Sequence, residues 1–478
     1  MLINLKIHLN HSLRKTIYLF VILLSGCATY KYESKPIETK QLQINYEKRN
    51  LDDQKLGQYL SSYGVSTQNW PLQSWNLQSL ALAAYYFHPD LKIAIAEYDK
   101  ARLMQKFAGQ YPNPEIELPL EHHSDTSGGI SPWTAGLSFN FVIERKGKRD
   151  ARKQLSLAET DLARSNVNNV AWDIYKNLRQ RYIGLYIAQK TLDLLKQQIK
   201  VAGEIISILS SRQQNQQTSE FEVSSARLDL QKLKLAEINQ QVLVTAAHHA
   251  IADAIGVPSA AIDNVNFDYS DIEKLNNRKS LDESDYRAIA LQHRPEIQAA
   301  LSNYAVYEAN LRLQIESQYP DINLSPGFIF DQQDKVWTLG ASWLLALFHP
   351  ENEGPIQEAL ADRETRRKEF LAQQEHVIND VSANYARLEA LAKARKISTG
   401  LYDDANQRYT QLKKQYDLGY IDNLELTRSK NEVIAMKQAV FDMEASYLNT
   451  SSMLEDAIGF PLLDNRMYQF DDHPNNNK

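Results

Sequence analysis

Four groups of residues have types and spacings that could do chemistry. Cys27 is the only cysteine among 478 residues, so it forms no disulfide within the chain and its thiol is left for another use. His122 and His123, with Glu121 and Asp125 close by, are of zinc-ligand type, although a solvated loop between two strands explains the same residues more simply. His248 and His249 are adjacent on a helical pattern, where sequence neighbours do not share a face. The stretch Tyr416-Asp417-Leu418-Gly419-Tyr420-Ile421-Asp422-Asn423-Leu424-Glu425 surrounds a chain reversal, with Arg428 one turn on. Gly419 supplies the reversal, Asp422 or Asn423 caps the returning helix, and Glu425 is favoured by that helix's dipole. No glycine-rich phosphate loop, metalloprotease motif or nucleophile elbow occurs, so no catalytic set, metal or cofactor is expected.

The elements that hold these residues begin with the segment before Cys27. Lys6, Arg14 and Lys15 are basic, Thr16 to Leu24 is apolar, and Ser25 and Gly26 are small. This is the pattern of a secretory signal, too short to span a bilayer comfortably. Its ending, Leu24-Ser25-Gly26-Cys27, resembles a bacterial lipobox. That resemblance implies a signal peptide over 1–26, lipid on the Cys27 sulfur and an acylated new amino terminus. Ala28 in place of Asp favours sorting to the outer membrane. Acyl chains anchor a protein but do not make it span.

The net charge is -6 and the pI near 6.0, which suggests no nucleic-acid partner. A mean hydropathy of -0.47 argues against a helical membrane protein. No proline occurs between Pro132 and Pro258 or between Pro355 and Pro461. Proline breaks helix interiors, so these tracts predict very long helices, from Lys148 to about Gln213 and from Ile356 to about Gln415. Each is followed by a shorter one, Ser219 to Ile255 and Asp422 to Ile458. A tract of about 65 residues reaches about 100 Å at 1.5 Å per residue. Its apolar residues drift between three- and four-residue spacing, as in a coiled-coil seam. Helices over Leu77–Gln110 and Ser284–Gln318 complete the second strand of each coil.

The chain is written twice, with a period of about 205 residues. "HPDLKIAIAEYDKARLMQKFAGQYPNPEIEL" parallels "RPEIQAALSNYAVYEANLRLQIESQYPDINL", "WTAGLSFNF" parallels "WTLGASWLL", and "AIGVP" parallels "AIGFP". The predicted divisions are the signal (1–26), an extended N-terminal segment (27–76), a first repeat (77–257), a linker (258–283), a second repeat (284–461) and a tail (462–478). Each repeat reads as helix, two strands and a long helical hairpin. In the strands, apolar residues alternate with polar or small ones. Ile116, Leu118, Leu137, Phe139, Ile322, Leu324, Trp337 and Leu339 fall on the apolar parity. The strands run near the length that a tilted strand needs to cross a bilayer. A soluble sheet packed on a core fits the alternation equally well. In lipid, however, a sheet can have no open edge, and four strands cannot close. Strands that span would therefore need several copies to share one barrel, and this argument does not choose between two and three.

Together, these openings, "YPNPEIEL", "GLSFNF" and "QRYTQLKKQYDLGYIDNLELTRSKNE" resemble the TolC family of outer-membrane efflux channels, over about residues 70 to 462. The lipobox is similar to that family's lipidated branch, and "IERKGKRDAR" is faintly similar to its heavy-metal branch. The resemblance implies a mixed α+β membrane protein: a homotrimer with a twelve-stranded transmembrane β-barrel, four strands per chain, continuous with a helical coiled-coil barrel in the periplasm of a Gram-negative bacterium. It implies a periplasmic adaptor and an inner-membrane pump of the resistance-nodulation-division type as partners. It places Tyr416, Gly419, Asp422 and Glu425 at the periplasmic gate, with Glu425 in an acidic pore ring. Arg428 stands where a second acid is common. The function implied is the exit of drugs or heavy metals, or alternatively of a secreted protein. A non-spanning periplasmic lipoprotein acting as adaptor or scaffold is the competing reading from the residues alone.

Overall fold

The computed structural model describes residues 30–124, 129–272, 281–345 and 351–462. Cys27 with its signal, Asp125 and the tail from 463 lie outside the described residues. The chain divides into one unit through Lys48 and a second from Arg49 onward. The first unit holds α1 (Thr39–Glu47), an exposed helix. The second opens with α2 (Gln54–Ser62), which Asp53 caps by accepting the Lys55 N–H at 2.7 Å. An extended segment was expected over 27–76, and these two helices correct it. Nine residues give too few turns for a readable period, yet Leu56 and Leu60, one turn apart, are fully buried.

The second unit then runs α3 (Leu77–Phe87), α4 (Pro89–Phe107), β1 (Glu115–Glu117), β2 (Leu120–His122), β3 (Trp133–Ile143), α5 (Lys146–Gln214) and α6 (Glu220–Ile255). A short 3₁₀ turn at Ser259–Ile262 leads to α7 (Glu283–His293), α8 (Pro295–Glu316), β4 (Ile322–Asp331), β5 (Asp334–Trp343), α9 (Glu353–Asp417) and α10 (Asn423–Ile458). The 69 residues of α5 and 65 of α9 each reach about 100 Å. One part of α5 packs against α4 and another against α6, and α9 is likewise flanked by α8 and α10.

The opening helix of each half, expected to be continuous, is broken at His88 and Arg294. A proline follows each and disfavours helical backbone at the residue before it. The same two residues receive the end of the returning helix. Gly256 and Gly459 close α6 and α10 in the left-handed conformation, at φ 85° and 62°. A Cβ on Gly256 would lie 3.2 Å from the His88 Cα, and one on Gly459 would lie 2.5 Å from the Arg294 Cα. Glycine is needed at both places for conformation and for space.

The sheet is an antiparallel meander in the order β1/β2–β3–β4–β5. β1 and β2 are one strand in register: Glu115 pairs Asn140 and Leu120 pairs Ala135. Pro119 interrupts the ladder because it has no N–H to give. Its carbonyl accepts from the Gly136 N–H at 2.8 Å, so the missing donor falls on the β3 side and the outer edge is left whole. β4 and β5 are joined by Gln332 and Gln333, both at positive φ, in a two-residue hairpin turn. The sheet's contacts run from strand to strand, and among the described residues neither face has a helix packed along it.

The largest apolar core lies where α3, α5 and the end of α6 meet, around Leu80, Trp172, Leu178, Tyr182, Ile251 and Ile255. A second, around Val377, Val381, Leu454 and Ile458, joins α7, α9 and α10.

Candidate functional site

Residues paired across an antiparallel ladder share a face. Ile116 pairs Phe139, Leu137 pairs Phe328, Phe328 pairs Trp337, and Leu324 pairs Phe141 and Ala341. The register thus gathers Ile116, Leu118, Leu137, Phe139, Ile322, Leu324, Trp337 and Leu339 on one face. Trp337 is 81% exposed, Leu339 77% and Leu118 63%. The opposite face is polar: Ser138 donates to Glu117 at 3.3 Å, Asn140 to Glu115 at 3.4 Å and Thr134 to Asp331 at 2.6 Å.

At the far ends of the long helices lie two reversals. Gly419 turns the second at φ 79°, its N–H bonding the Tyr416 carbonyl at 2.9 Å. Asp422 caps α10 by accepting the Glu425 N–H at 3.0 Å. The other Asp422 oxygen takes Arg212, from the end of α5, at 2.7 Å. Leu424 is buried with Leu209 and Val223, so the two tips share a small apolar core. Arg212, then the Glu425 N–H, holds the Asp422 carboxyl below the usual aspartate range. A lowered pKa means that this tether contributes above the ordinary aspartate pKa and is lost as pH falls through the lowered one. Glu425 and Arg428 are exposed and form no ion pair with each other. Tyr416 is 39% exposed, and its hydroxyl has no hydrogen bond among the described residues.

The histidines are engaged otherwise. His122 packs its ring on Trp133 at 4.6 Å, while His123 meets the Thr134 hydroxyl at 3.1 Å. His248 packs 5.8 Å from Phe267, and burial lowers its pKa. Among the described residues, no group of three or more His, Cys, Asp or Glu is placed to hold a metal.

Two links went unforeseen. One is the Arg212–Asp422 tether, a pair 210 positions apart in sequence. The other is Arg179 of α5, which is 0% exposed and reaches α10. Its Nε donates to the Ser452 hydroxyl at 3.0 Å, its Nη1 stands 2.6 Å from Glu455, and it also pairs with Asp456. Tyr175 donates to Glu455 at 3.0 Å. Nothing in a local pattern marks the first pair. An arginine on the apolar side of a helical stripe was the available signal for the second.

A family model described as outer membrane efflux protein matches residues 82–257 and 287–460. The cobalt-zinc-cadmium resistance protein CzcC of Cupriavidus metallidurans is 22% identical over 348 residues, covering 71% of this chain and 80% of that one. The cation efflux system protein CusC of Escherichia coli K12 is 23% identical over 413 residues, covering 80% and 86%. Among solved structures, the outer membrane protein VceC of Vibrio cholerae matches with a TM-score of 0.64 at 17% identity, over 80% of this chain and 96% of that one.

Proposed function

Because the chain belongs to the outer membrane efflux protein family, whose members are channels and not enzymes, we propose that it is the outer-membrane exit duct of a tripartite export system. In this reading it takes substrate from an inner-membrane pump, of the resistance-nodulation-division type, through a periplasmic adaptor. The observation that carries it is the uncovered apolar face of a four-stranded sheet joined directly to helices of about 100 Å. A scaffold that does not span has no use for such a face. The relatives named for cation resistance and cation efflux favour metal ions over drugs as cargo, and give no support to protein secretion.

The sheet also supports closure by several copies. Four antiparallel strands leave β1/β2 and β5 as edges running in opposite directions, so another copy can add to either edge in antiparallel fashion. Neither edge offers a proline to block it. The helices repeat the message: Phe221, Leu228, Leu235 and Val242 form an exposed apolar stripe on α6 at seven-residue spacing, as a helix seam awaiting a partner does. Three copies give twelve strands, the number in the family reading. A homotrimer in the outer membrane with its helices in the periplasm satisfies both surfaces.

The Tyr416–Glu425 reversal is the periplasmic gate of this duct, held by the Arg212–Asp422 tether and the Leu209–Val223–Leu424 core. Three Glu425 carboxylates around a narrow pore focus a negative field and favour cations, with Arg428 moderating it. Planar-bilayer recordings of the purified trimer test this. Discrete conductance steps are expected, Glu425→Gln should lower the cation-to-anion permeability ratio, and Asp422→Asn, which removes the carboxylate that Arg212 holds, should raise the open fraction. Absence of conductance removes the channel reading. Conductance with no change in either variant removes only the gate.

Cys27 is proposed to be the lipidated first residue of the mature protein. Mass spectrometry of the purified amino-terminal peptide should show a diacylglyceryl cysteine. An unmodified Cys27 contradicts the anchor and leaves the channel untouched.

A further inference from the structure

The apolar face of the sheet ends at one row of paired residues, Ile143, Ile322 and Trp343, which are 47%, 45% and 60% exposed. Immediately beyond this row the chain turns strongly basic, from Arg145 to Lys153 at the start of α5. Two of these arginines stand over the rings of tyrosines that hold the same Gln-Tyr-Pro position in the two halves. Arg149 lies 4.0 Å from the Tyr111 ring centroid and Arg145 3.7 Å from that of Tyr319. Both tyrosines remain exposed.

The charges sort into two sets. Lys148 is paired with Asp321 at 2.7 Å, Arg152 is paired with Glu144, and Lys153 stands 4.0 Å from Asp150. Arg145, Arg149 and Lys106 have no carboxylate within ion-pair distance among the described residues. Arg149 is held in place by donating its Nε–H to the Gly109 carbonyl at 2.7 Å and an Nη1–H to the Tyr111 hydroxyl. A cavity of about 470 Å³ opens between α4 and α5 at this level, lined by Lys106, Arg149 and Lys153 and by the half-exposed Leu157.

We propose that this cavity is a binding site for the phosphate headgroup of an anionic phospholipid in the periplasm-facing leaflet. The proposal rests on the spanning reading above, which puts the Ile143–Ile322–Trp343 row at the membrane boundary. Tyrosine and tryptophan favour that boundary because one end of each ring is apolar and the other wet. An arginine fixed by stacking presents its remaining N–H groups in the fork that matches phosphate oxygens. Lys106 adds a free point charge and Lys153 a second, engaged only in an exposed 4.0 Å pairing with Asp150 that is weak in water, and basic pockets at such a level suit anionic headgroups. Exposed Phe107, at the end of α4 that leads into β1, gives the first acyl carbons apolar contact on the membrane side of the cations. A free phosphate would have no use for it, and continuity with the apolar face is what selects lipid.

The test is native mass spectrometry of the full-length trimer released from detergent, titrated with phosphatidylglycerol or phosphatidylcholine. Wild type should retain phosphatidylglycerol preferentially. Lys106→Gln/Arg149→Gln/Lys153→Gln should weaken that retention at least about tenfold while conductance and subunit number stay unchanged. Arg149→Lys alone, which keeps the charge and loses the fork, should fall between them and serves if the triple variant does not fold. Equal retention by wild type and variants overturns the proposal. So does loss of phosphatidylglycerol to equimolar inorganic phosphate, or dissociation of the triple variant into single chains, which would make the cavity a contact between copies. A wild type that conducts but shows no lipid preference refutes this site alone. A wild type that does not conduct refutes the spanning reading.

Discussion

Arginine at Leu137 or Phe139 is expected to abolish insertion into the outer membrane, whereas arginine at Ser138 or Asn140 should leave most of it intact. The four positions are consecutive on β3, so strand propensity and distance from the turns are nearly the same for all. They differ in the face they occupy. Leu137 and Phe139 pair toward Phe328 and Ile116 on the apolar side, while Ser138 and Asn140 sit among the Glu117, Glu115 and Ser325 hydrogen bonds of the other. Charge on a lipid face near the midplane costs about 2–4 kcal/mol per copy. In a trimer that becomes about 6–12 kcal/mol. At Ser138 or Asn140 the guanidinium meets carboxylates and water. Membrane fractions washed with urea and probed for heat-modifiable trimer would separate the two outcomes. Equal loss at all four positions would mean that both faces are buried in protein and that the sheet does not line a pore.

Arg179→Met is expected to be the most destabilising single change outside the sheet. Methionine fills much of the same volume, so cavity formation is minor. What is lost is the partner of Glu455, a carboxylate only 1% exposed, together with bonds to Ser452. Breaking a buried pair by removing one member costs about 3–5 kcal/mol, because the other charge is left in a poor dielectric. The neighbouring Asp456 already has its carboxyl pushed up by burial, with Arg179 pulling it back, and it loses that counterweight too. The urea midpoint of the helical circular-dichroism signal should fall sharply. Adding Glu455→Gln should restore part of the loss, since an amide can stay buried with Tyr175 as its partner. If the double variant is no better than Arg179→Met, packing rather than charge holds α5 to α10.

The long helices were legible because proline is absent where they run and because their ends carry their own chemistry. Ser219 was the expected start of one returning helix and Asp422 or Asn423 the expected cap of the other; in the structure Ser219 and Asp422 are the caps. The strands were legible through period two, which survives even where Pro119 breaks the ladder. The breaks at His88 and Arg294 had a local signal, the following proline, but the apolar pattern runs through both and hides it. Other features lack local signals. Gln332-Gln333 is a poor sequence for a turn with two positive φ values, which Asn-Gly would favour, and only the pairing of β4 with β5 imposes it. The tip tether and the Arg179 clasp join residues more than 200 positions apart. The stacking of Arg145 and Arg149 depends on α5 starting beside the two Gln-Tyr-Pro corners, which the order of strands decides.

The open sheet has a genetic consequence. No chain in the proposed trimer can close its own barrel, so each channel is only as sound as its worst subunit. A cell making normal and insertion-defective chains in equal amounts, mixed at random, would build only about one trimer in eight from normal chains alone, the cube of one half for a three-fold ring. A defective allele on the polar face or at the gate would still assemble and would dilute function gradually. One on the apolar face would drag its neighbours out of the membrane with it. Mutations in β3 should therefore divide into dominant and recessive according to the parity of the residue number.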